Sequence, residues 1–333
     1  MVPVEHDTGP DFDASGPLCG HRAAYIQLRT GTSAFVRQTL VTTLTILKGT
    51  SCTPAQHTSC QRPPVAEGRG RGLYSCGPLG QSEGTASSGV YGMRFGVFSD
   101  IHANLVALQA VLQDMGPVDQ YWCLGDVVGY GPSPNECVQA LLDLDHVLVM
   151  GNHDAAAVGV LSPRDFNGEA RRALEWTART LARDSVAYLK AAPEQLTRGE
   201  ILLVHGSPRE PLWEYITNVE QALGNFAVTE NPYTFIGHTH VPLVFLLDRE
   251  GHALSGTPED GMLLRLAGER MLINPGSVGQ PRDGDPRASY AIVDNEQMHV
   301  EFHRVEYDIP ETQSAMKAMG ASPWLMERIA YGR

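Results

Sequence analysis

The 333-residue sequence is short of positive charge: 25 Lys and Arg stand against 38 Asp and Glu, a formal net charge of −13. That shortage argues against a general nucleic-acid binder, which needs a basic face. No run of 18 or more apolar residues occurs, so no transmembrane helix is expected. Cysteine is scarce, with 6 in all, and no C-x-x-C pair occurs, which disfavours a zinc site built from Cys52, His57, Cys60 and Cys76. A basic N-terminal start is also missing. The chain opens with Glu5, Asp7, Asp11 and Asp13, so a secretory signal is not expected. What remains, 42% hydrophobic and 19% charged, fits a soluble globular chain long enough for about two domains and a large core.

The acidity is unevenly spread. Residues 1–92 carry 7 basic and 6 acidic residues, whereas residues 93–333 carry 18 and 32. The first segment is rich in Gly, Pro, Ser and Thr, and holds Cys19, Cys52, Cys60 and Cys76. It has no clear periodicity, apart from residues 34–47. There Val36, Leu40, Val41, Leu44 and Leu47 are spaced as in a helix, while Thr39, Thr42, Thr43 and Thr45 favour a strand. A segment so poor in apolar pattern is expected to be a disordered extension, because it cannot offset its ordering entropy. Met93 directly precedes an apolar run and is the expected natural start, which makes residues 93–333 the working domain. A chain lacking residues 1–92 is then expected to keep folding and activity, and loss of either contradicts this.

From residue 94 strands and helices alternate. The run 95–99 reads as a buried strand, and 103–115 as a helix with Leu105, Leu108, Val111, Leu112 and Met115 on one stripe. A strand over 121–124 precedes a helix opened by Ser133 as N-cap, Pro134 at N1 and Glu136 completing a capping box. Strand 146–150, helices 169–182 and 185–191, strand 200–204, helix 219–226 and strand 233–236 follow. Strands are then expected over 243–247, 262–266, 271–273, 290–293 and 299–305, and a helix over 310–319. The order implies an α/β domain with a partly antiparallel second sheet.

Chemistry-bearing residues collect just after the strands, where open α/β sheets bind ligands. Asp100-Ile101-His102 follows the first strand, and residues two apart in extended chain face the same way, so both side chains can reach one ion. Gly125-Asp126 follows the second, Gly151-Asn152-His153-Asp154 the third, His205-Gly206 the strand ending at Val204, and Gly237-His238-Thr239-His240 the one ending at Ile236. Singly, each has a structural explanation: a strand-end Asp caps helices, and a strand His is commonly a satisfied core group. Five in one order do not.

That order, D-x-H, G-D, G-N-H-[D/E], H-G, G-H-T-H, resembles the calcineurin-like metallophosphoesterase family over residues 94 to about 305. The resemblance implies a four-layer αββα sandwich, two mixed sheets flanked by helices, with a dinuclear metal site at the strand C-terminal ends. Carried over by position, one ion takes Asp100, His102, Asp126 and His240, and the other takes Asp126, Asn152, His205 and His238. Asp126 bridges them, as two cations about 3.5–4 Å apart require. Asp, Asn and His ligands without Cys suit Mn²⁺, Fe or Zn²⁺. The implied reaction is attack on phosphorus by a hydroxide shared by the two ions, with His153 as general acid or transition-state donor. Cys123 and Cys137 fall on no ligand position and read as small buried residues in a reducing cytoplasm.

One departure narrows the substrate. Protein Ser/Thr phosphatases of the family read G-D-x-x-D-R-G, whereas here Gly129 and Tyr130 replace the second Asp and the Arg. The usual orienting partner of the catalytic His is then missing at its place; Asp154 adjoins His153 in sequence, and no residue is assigned to that role. The pattern is similar to the small bacterial and archaeal phosphodiesterase branch. So is the stretch Asn274-Pro275-Gly276-Ser277-Val278-Gly279-Gln280-Pro281-Arg282. Arg282 or Arg287 is a candidate phosphate contact, and Tyr130 a candidate stacking partner for a base or leaving group. The expected partner is a small phosphate ester or nucleotide, with no membrane and no long nucleic acid. Alternatives are a symmetrical dinucleoside tetraphosphate hydrolase, a protein Ser/Thr phosphatase and a non-catalytic scaffold of the same fold.

Overall fold

Side chains alternate between the two faces of a strand, so strands apolar on both faces must be covered on both. The parallel strands of this chain have that property, and it sets the layers. The computed structural model describes residues 92–333. Of the extension expected over residues 1–92, residues 1–91, with the 34–47 helix or strand, lie outside the described residues.

In chain order, β1 (Arg94–Phe98) leads through α1 (Leu105–Met115) to β2 (Gln120–Cys123), then through α2 (Pro134–Leu142) to β3 (His146–Leu148). Next come α3 (Asn152–Ala157), α4 (Gly168–Thr180) and α5 (Arg183–Ala191). β4 (Gln195–Arg198) and β5 (Ile201–Val204) precede α6 (Val219–Phe226) and β6 (Tyr233–Phe235). Six strands follow in succession: β7 (Leu243–Leu247), β8 (Ala253–Gly256), β9 (Leu263–Arg265), β10 (Arg270–Asn274), β11 (Ala288–Asp294) and β12 (His299–Val305). α7 (Ile309–Ala318) and α8 (Pro323–Tyr331) close the described chain.

The strands form two mixed six-stranded sheets, ordered β3-β2-β1-β11-β12-β9 and β4-β5-β6-β10-β7-β8. Parallel pairing joins β1, β2 and β3 in the first sheet and β5, β6 and β10 in the second. The remaining pairs are antiparallel. Val97, Trp122, Val147, Leu203, Phe235 and Ile273 meet between the sheets. Their chain neighbours Phe98, Cys123 and Leu148 face outward under α1, α2 and α5, beside Leu108, Val111, Leu141 and Leu189. On the far side, Val204, Ile236 and Leu272 pack with Ala222 and Phe226 of α6. The result is the α/β sandwich with helices on both outer faces. Cys123 and Cys137 are unpaired and buried in the first of these helix-facing clusters. No helix among the described residues is long and apolar enough to cross a membrane.

Five expectations change. The capping box on α2 is absent, since Ser133 makes no side-chain cap bond. Pro134 opens the helix, and the Ser133 amide donates to Ala103 O at 3.0 Å. α3, β4, β8 and α8 are additional elements.

Candidate active site

The parallel strands β1, β2, β5 and β6 end at one edge, and the motif residues occupy the turns that follow. These turns are not the extended chain that i, i+2 spacing suggested. Asp100, His102, Asp126, His238 and His240 all have positive φ, from 48° to 65°. Each such residue costs roughly 1–3 kcal/mol and persists only where its surroundings over-determine it. Here they do. The amides of Asp100, His102 and Ala103 donate to the carbonyls of Gly125, Asp126 and Val127 at 3.0, 2.9 and 2.8 Å, which zips the first two turns together. The Asn274–Gln280 stretch clamps them from the other side. Ser277 Oγ and the Gly279 amide both donate to Asp100 O at 2.9 Å. Asn274 Nδ2 donates to Gly237 O at 2.7 Å and to Thr239 Oγ1 at 3.0 Å. A Cβ at Gly151 would collide with the Asp126 amide and carboxylate, so glycine is required where the third turn crosses the second.

The turns bring two groups of ligand atoms together. Asp100, His102, Asp126 and His240 form one and Asp126, His205 and His238 the other, every member buried and Asp126 common to both. Within the first, His240 Nε2 lies 3.3 Å from Asp100 Oδ1, and His102 Nε2 lies 3.6 Å from Asp126 Oδ2. Within the second, His205 Nε2 lies 3.4 Å from Asp126 Oδ2, 3.1 Å from His238 Nδ1 and 3.2 Å from Asn152 Oδ1. Asn152 thus sits beside the second group, as its carried-over position required.

These residues suit divalent cations. His102, His205 and His240 pair Nδ1 with the carbonyls of Val128, Leu124 and Gln280, at 3.2, 2.8 and 2.7 Å. A carbonyl only accepts, so Nδ1–H donates and Nε2 is left as the ligand nitrogen, the arrangement of metal-binding histidines. His102 Nε2 and His240 Nε2 then face each other at 3.1 Å. Asp100 Oδ1, Asp126 Oδ2 and His238 Nε2 are buried without any hydrogen-bond partner. Orphaned buried oxygens of this kind are costly unless a cation satisfies them.

Burial dominates the electrostatics. It holds His102, His238 and His240 well below the ordinary imidazole range and lifts Asp100 to about 7. Burial also acts to raise Asp126, but the His205 and His153 imidazoles hold that carboxyl below the ordinary range. For His205 burial acts downward, and Asp126 overrides it to leave the ring at about 9.

His153 adjoins the cluster. Its amide donates to Asp126 Oδ1 at 2.8 Å, and its ring lies 4.8 Å from that of His102. Its Nδ1 is buried without a partner, and burial lowers it to about 4. Gly129, with φ of 93°, lies against that nitrogen: a Cβ there would come within 2.5 Å of it. Asp154 does not orient His153. Its Oδ1 accepts from the Val128 amide at 3.0 Å and its Oδ2 from the Gly151 amide at 3.2 Å. Ring packing against His102, Tyr130 and Phe166 positions His153 instead.

The substrate-contact candidates separate. Arg282 faces the cluster, its positive charge lowering His102, His153, His238 and His240. Its Nη2 donates to Gln280 Oε1 at 2.9 Å, its Nε is buried without a partner, and it makes no salt bridge among the described residues. Arg287 is held by Asp285 at 2.7 Å and Asp260 at 2.8 Å, and none of its bonds goes to the cluster. Tyr130 is only 5% exposed, with its ring against His102 and His153 and among Ala173, Leu325 and Ile329, so its place is a packing one.

Sequence reasoning missed Phe166, Trp213 and Tyr215. Tyr215 stacks on His238 at 3.9 Å, and Phe166 bridges His153 and Trp213 with 5.0 Å to each ring. The signal available was Trp213-Glu214-Tyr215, an aromatic pair soon after His205-Gly206.

A sequence profile of the calcineurin-like phosphoesterase superfamily domain matches residues 93–298. The chain belongs to the calcineurin-like phosphoesterase superfamily. It is 37% identical over 245 residues to the protein MJ0912 of Methanocaldococcus jannaschii, covering 71% of this chain and 97% of that one. It is 25% identical over 214 residues to the phosphodiesterase YfcE of Escherichia coli, covering 61% of this chain and 88% of YfcE. The crystal structure of a metallophosphoesterase from Sphaerobacter thermophilus matches with a TM-score of 0.67 at 47% identity, covering 73% of this chain and 100% of that one.

Proposed function

We propose that this protein hydrolyses phosphodiesters and small nucleotide esters at a site for two divalent cations. The observation that carries this reading is the buried cluster built around Asp126, with carboxylate and imidazole atoms left unpartnered. Asp100, His102, Asp126 and His240 would hold one cation, and Asp126, Asn152, His205 and His238 the other. Mixed oxygen and nitrogen ligands favour Mn²⁺, Fe²⁺ or Zn²⁺. When bound, such ions supply Lewis-acid chemistry, acidifying water and neutralising phosphoryl charge.

The chain's own residues do the rest. Asp126 would be shared by the two ions, and its Oδ1 accepts the His153 amide, which ties the catalytic ring to the cluster. His153 donates to the leaving oxygen or to a phosphoryl oxygen as charge develops. Arg282, in no salt bridge among the described residues and facing the cluster, contacts a non-bridging oxygen. Glycine at 129 and the buried Tyr130 remove the Asp and Arg of the protein phosphatases, and YfcE-like relatives are named phosphodiesterases, which together favour small diesters.

The test is to load the full chain with Mn²⁺, Zn²⁺ or Fe²⁺ and compare bis(p-nitrophenyl) phosphate, p-nitrophenyl phosphate, a dinucleoside tetraphosphate and a phosphopeptide. Metal-dependent turnover with preference for a diester or dinucleotide is expected. No metal-dependent hydrolysis of any substrate overturns the reading in favour of a scaffold, and phosphopeptide preference in favour of a protein phosphatase.

A further inference from the structure

We infer that Phe166, Trp213 and Tyr215 wall a subsite for the nucleobase of a nucleoside phosphate at the mouth of the cation cluster. This rests on the phosphoesterase reading above and names the group its substrate carries beyond the phosphate.

The three rings are not spread over the surface. They continue the cluster outward. Tyr215 stacks on His238 at 3.9 Å and 14° between planes. Phe166 meets His153 at 5.0 Å, and Trp213 meets Phe166 at 5.0 Å. Phe166 thus links the catalytic imidazole to the indole, which keeps the indole within one nucleotide's reach of the cluster.

The wall is preorganised. Trp213 and Tyr215 flank Glu214, which accepts from Ser207 Oγ at 2.5 Å, from Asn225 Nδ2 at 2.9 Å and from the Arg209 guanidinium. Those bonds fix the backbone that carries both rings, so little ordering entropy remains to oppose binding.

Covering the ligands accounts for part of the wall only. Tyr215 shields His238, yet is still 44% exposed. Trp213 packs on Phe166, an outer ring, and is 37% exposed. A large indole left open beside a phosphate-binding site presents a π-face, which any base can use. The Arg282 charge acts on the Tyr215 hydroxyl, so the cation that meets the phosphate is near the wall that meets the base. The −14 balance of residues 93–333 limits the ligand to a single nucleotide or short ester rather than a polymer.

The experiment compares binding of inorganic phosphate, ribose 5-phosphate and adenosine 5′-monophosphate to the full chain loaded with Mn²⁺, by calorimetry. Adenosine monophosphate is expected to bind about tenfold tighter than ribose 5-phosphate, the low end of what one base stacked on an aromatic ring contributes. Trp213→Ala is expected to collapse that ratio toward one, and Trp213→Phe to keep most of it. Thermal unfolding of each variant checks that it folds. In the unsubstituted chain, quenching of tryptophan fluorescence by adenosine monophosphate but not by ribose 5-phosphate gives a readout independent of any variant. Equal binding of the two sugar phosphates overturns the base wall and leaves the phosphoesterase reading standing. Binding of none of the three overturns both.

Discussion

The interior between the two sheets and the edge where their strands end are made from the same strands on opposite terms. Between the sheets, Trp122, Leu203, Phe235 and Ile273 are buried, apolar and at ordinary backbone angles. A few residues further along those strands, Asp126, His205, His238 and His240 are equally buried but polar, and all but His205 are at positive φ. The interior therefore supplies stability through area removed from water. The edge costs stability, through strained turns and unpartnered atoms, and survives because the Asn274–Gln280 clamp and the zipped turns over-determine it. Lesions at the edge should then remove activity and spare the fold, and lesions in the interior the reverse.

The strongest attempt to break that contrast is Asp126→Asn. Turnover should fall by about 10³-fold or more, since a shared carboxylate supports several kcal/mol of cation chemistry. Bound metal should drop below that of the parent by atomic absorption, while the far-ultraviolet circular dichroism stays unchanged. Activity within tenfold of the parent contradicts the shared role.

Phe235→Ala is the converse. Its ring is fully buried between the sheets, so the change should cost about 3–5 kcal/mol of unfolding free energy, read from denaturant melts. Activity per folded molecule should persist, and a selective loss of turnover without destabilisation breaks the contrast from the other side.

His153→Ala sharpens it within the edge itself. The ring belongs to neither ligand group, so metal content should be retained while kcat falls by about 10²-fold. A metal content that falls in parallel would make His153 a positioning residue for the cluster.

The smallest effect is expected at Arg287, outside both regions. Burial acts to raise the Asp285 carboxyl, but Arg287 and the backbone more than offset it, so Asp285 titrates below the ordinary range. A depressed carboxyl contributes stability above its unfolded value and loses it as pH falls through the folded one. Arg287→Ala should cost under about 1 kcal/mol near neutrality, and the two proteins should converge in acid with kcat unchanged. A kcat loss would put Arg287 in contact with substrate despite its bonds to Asp285 and Asp260.

How much was legible follows the same division. Val97-Phe98, Trp122-Cys123 and Leu203-Val204 are apolar on both faces, and that pattern announced strands buried on both sides. β4 escaped notice because it is an edge strand, paired to β5 alone and mostly exposed. α3 did so because its six residues open with Asn152-His153-Asp154, three polar side chains in place of an apolar stripe. α8 buries only Leu325 and Ile329, too short a stripe to stand out. At the edge the residue types were legible and the backbone was not. The i, i+2 spacing of Asp100 with His102 suggested alternation, whereas turns at positive φ do the aiming. The sequence left the partner of His153 open, and adjacency in the chain hides the amides of Val128 and Gly151 that claim Asp154. Trp213 and Tyr215 sit on a loop with no period, where neighbours emerge only in three dimensions.

The central claim is that the buried carboxylates and imidazoles grouped around Asp126 are cation ligands. Equilibrium dialysis of the full chain against Mn²⁺ or Zn²⁺, with ions counted per chain, tests it most directly. The account predicts two ions per chain, and no bound ion above a metal-free background would contradict it.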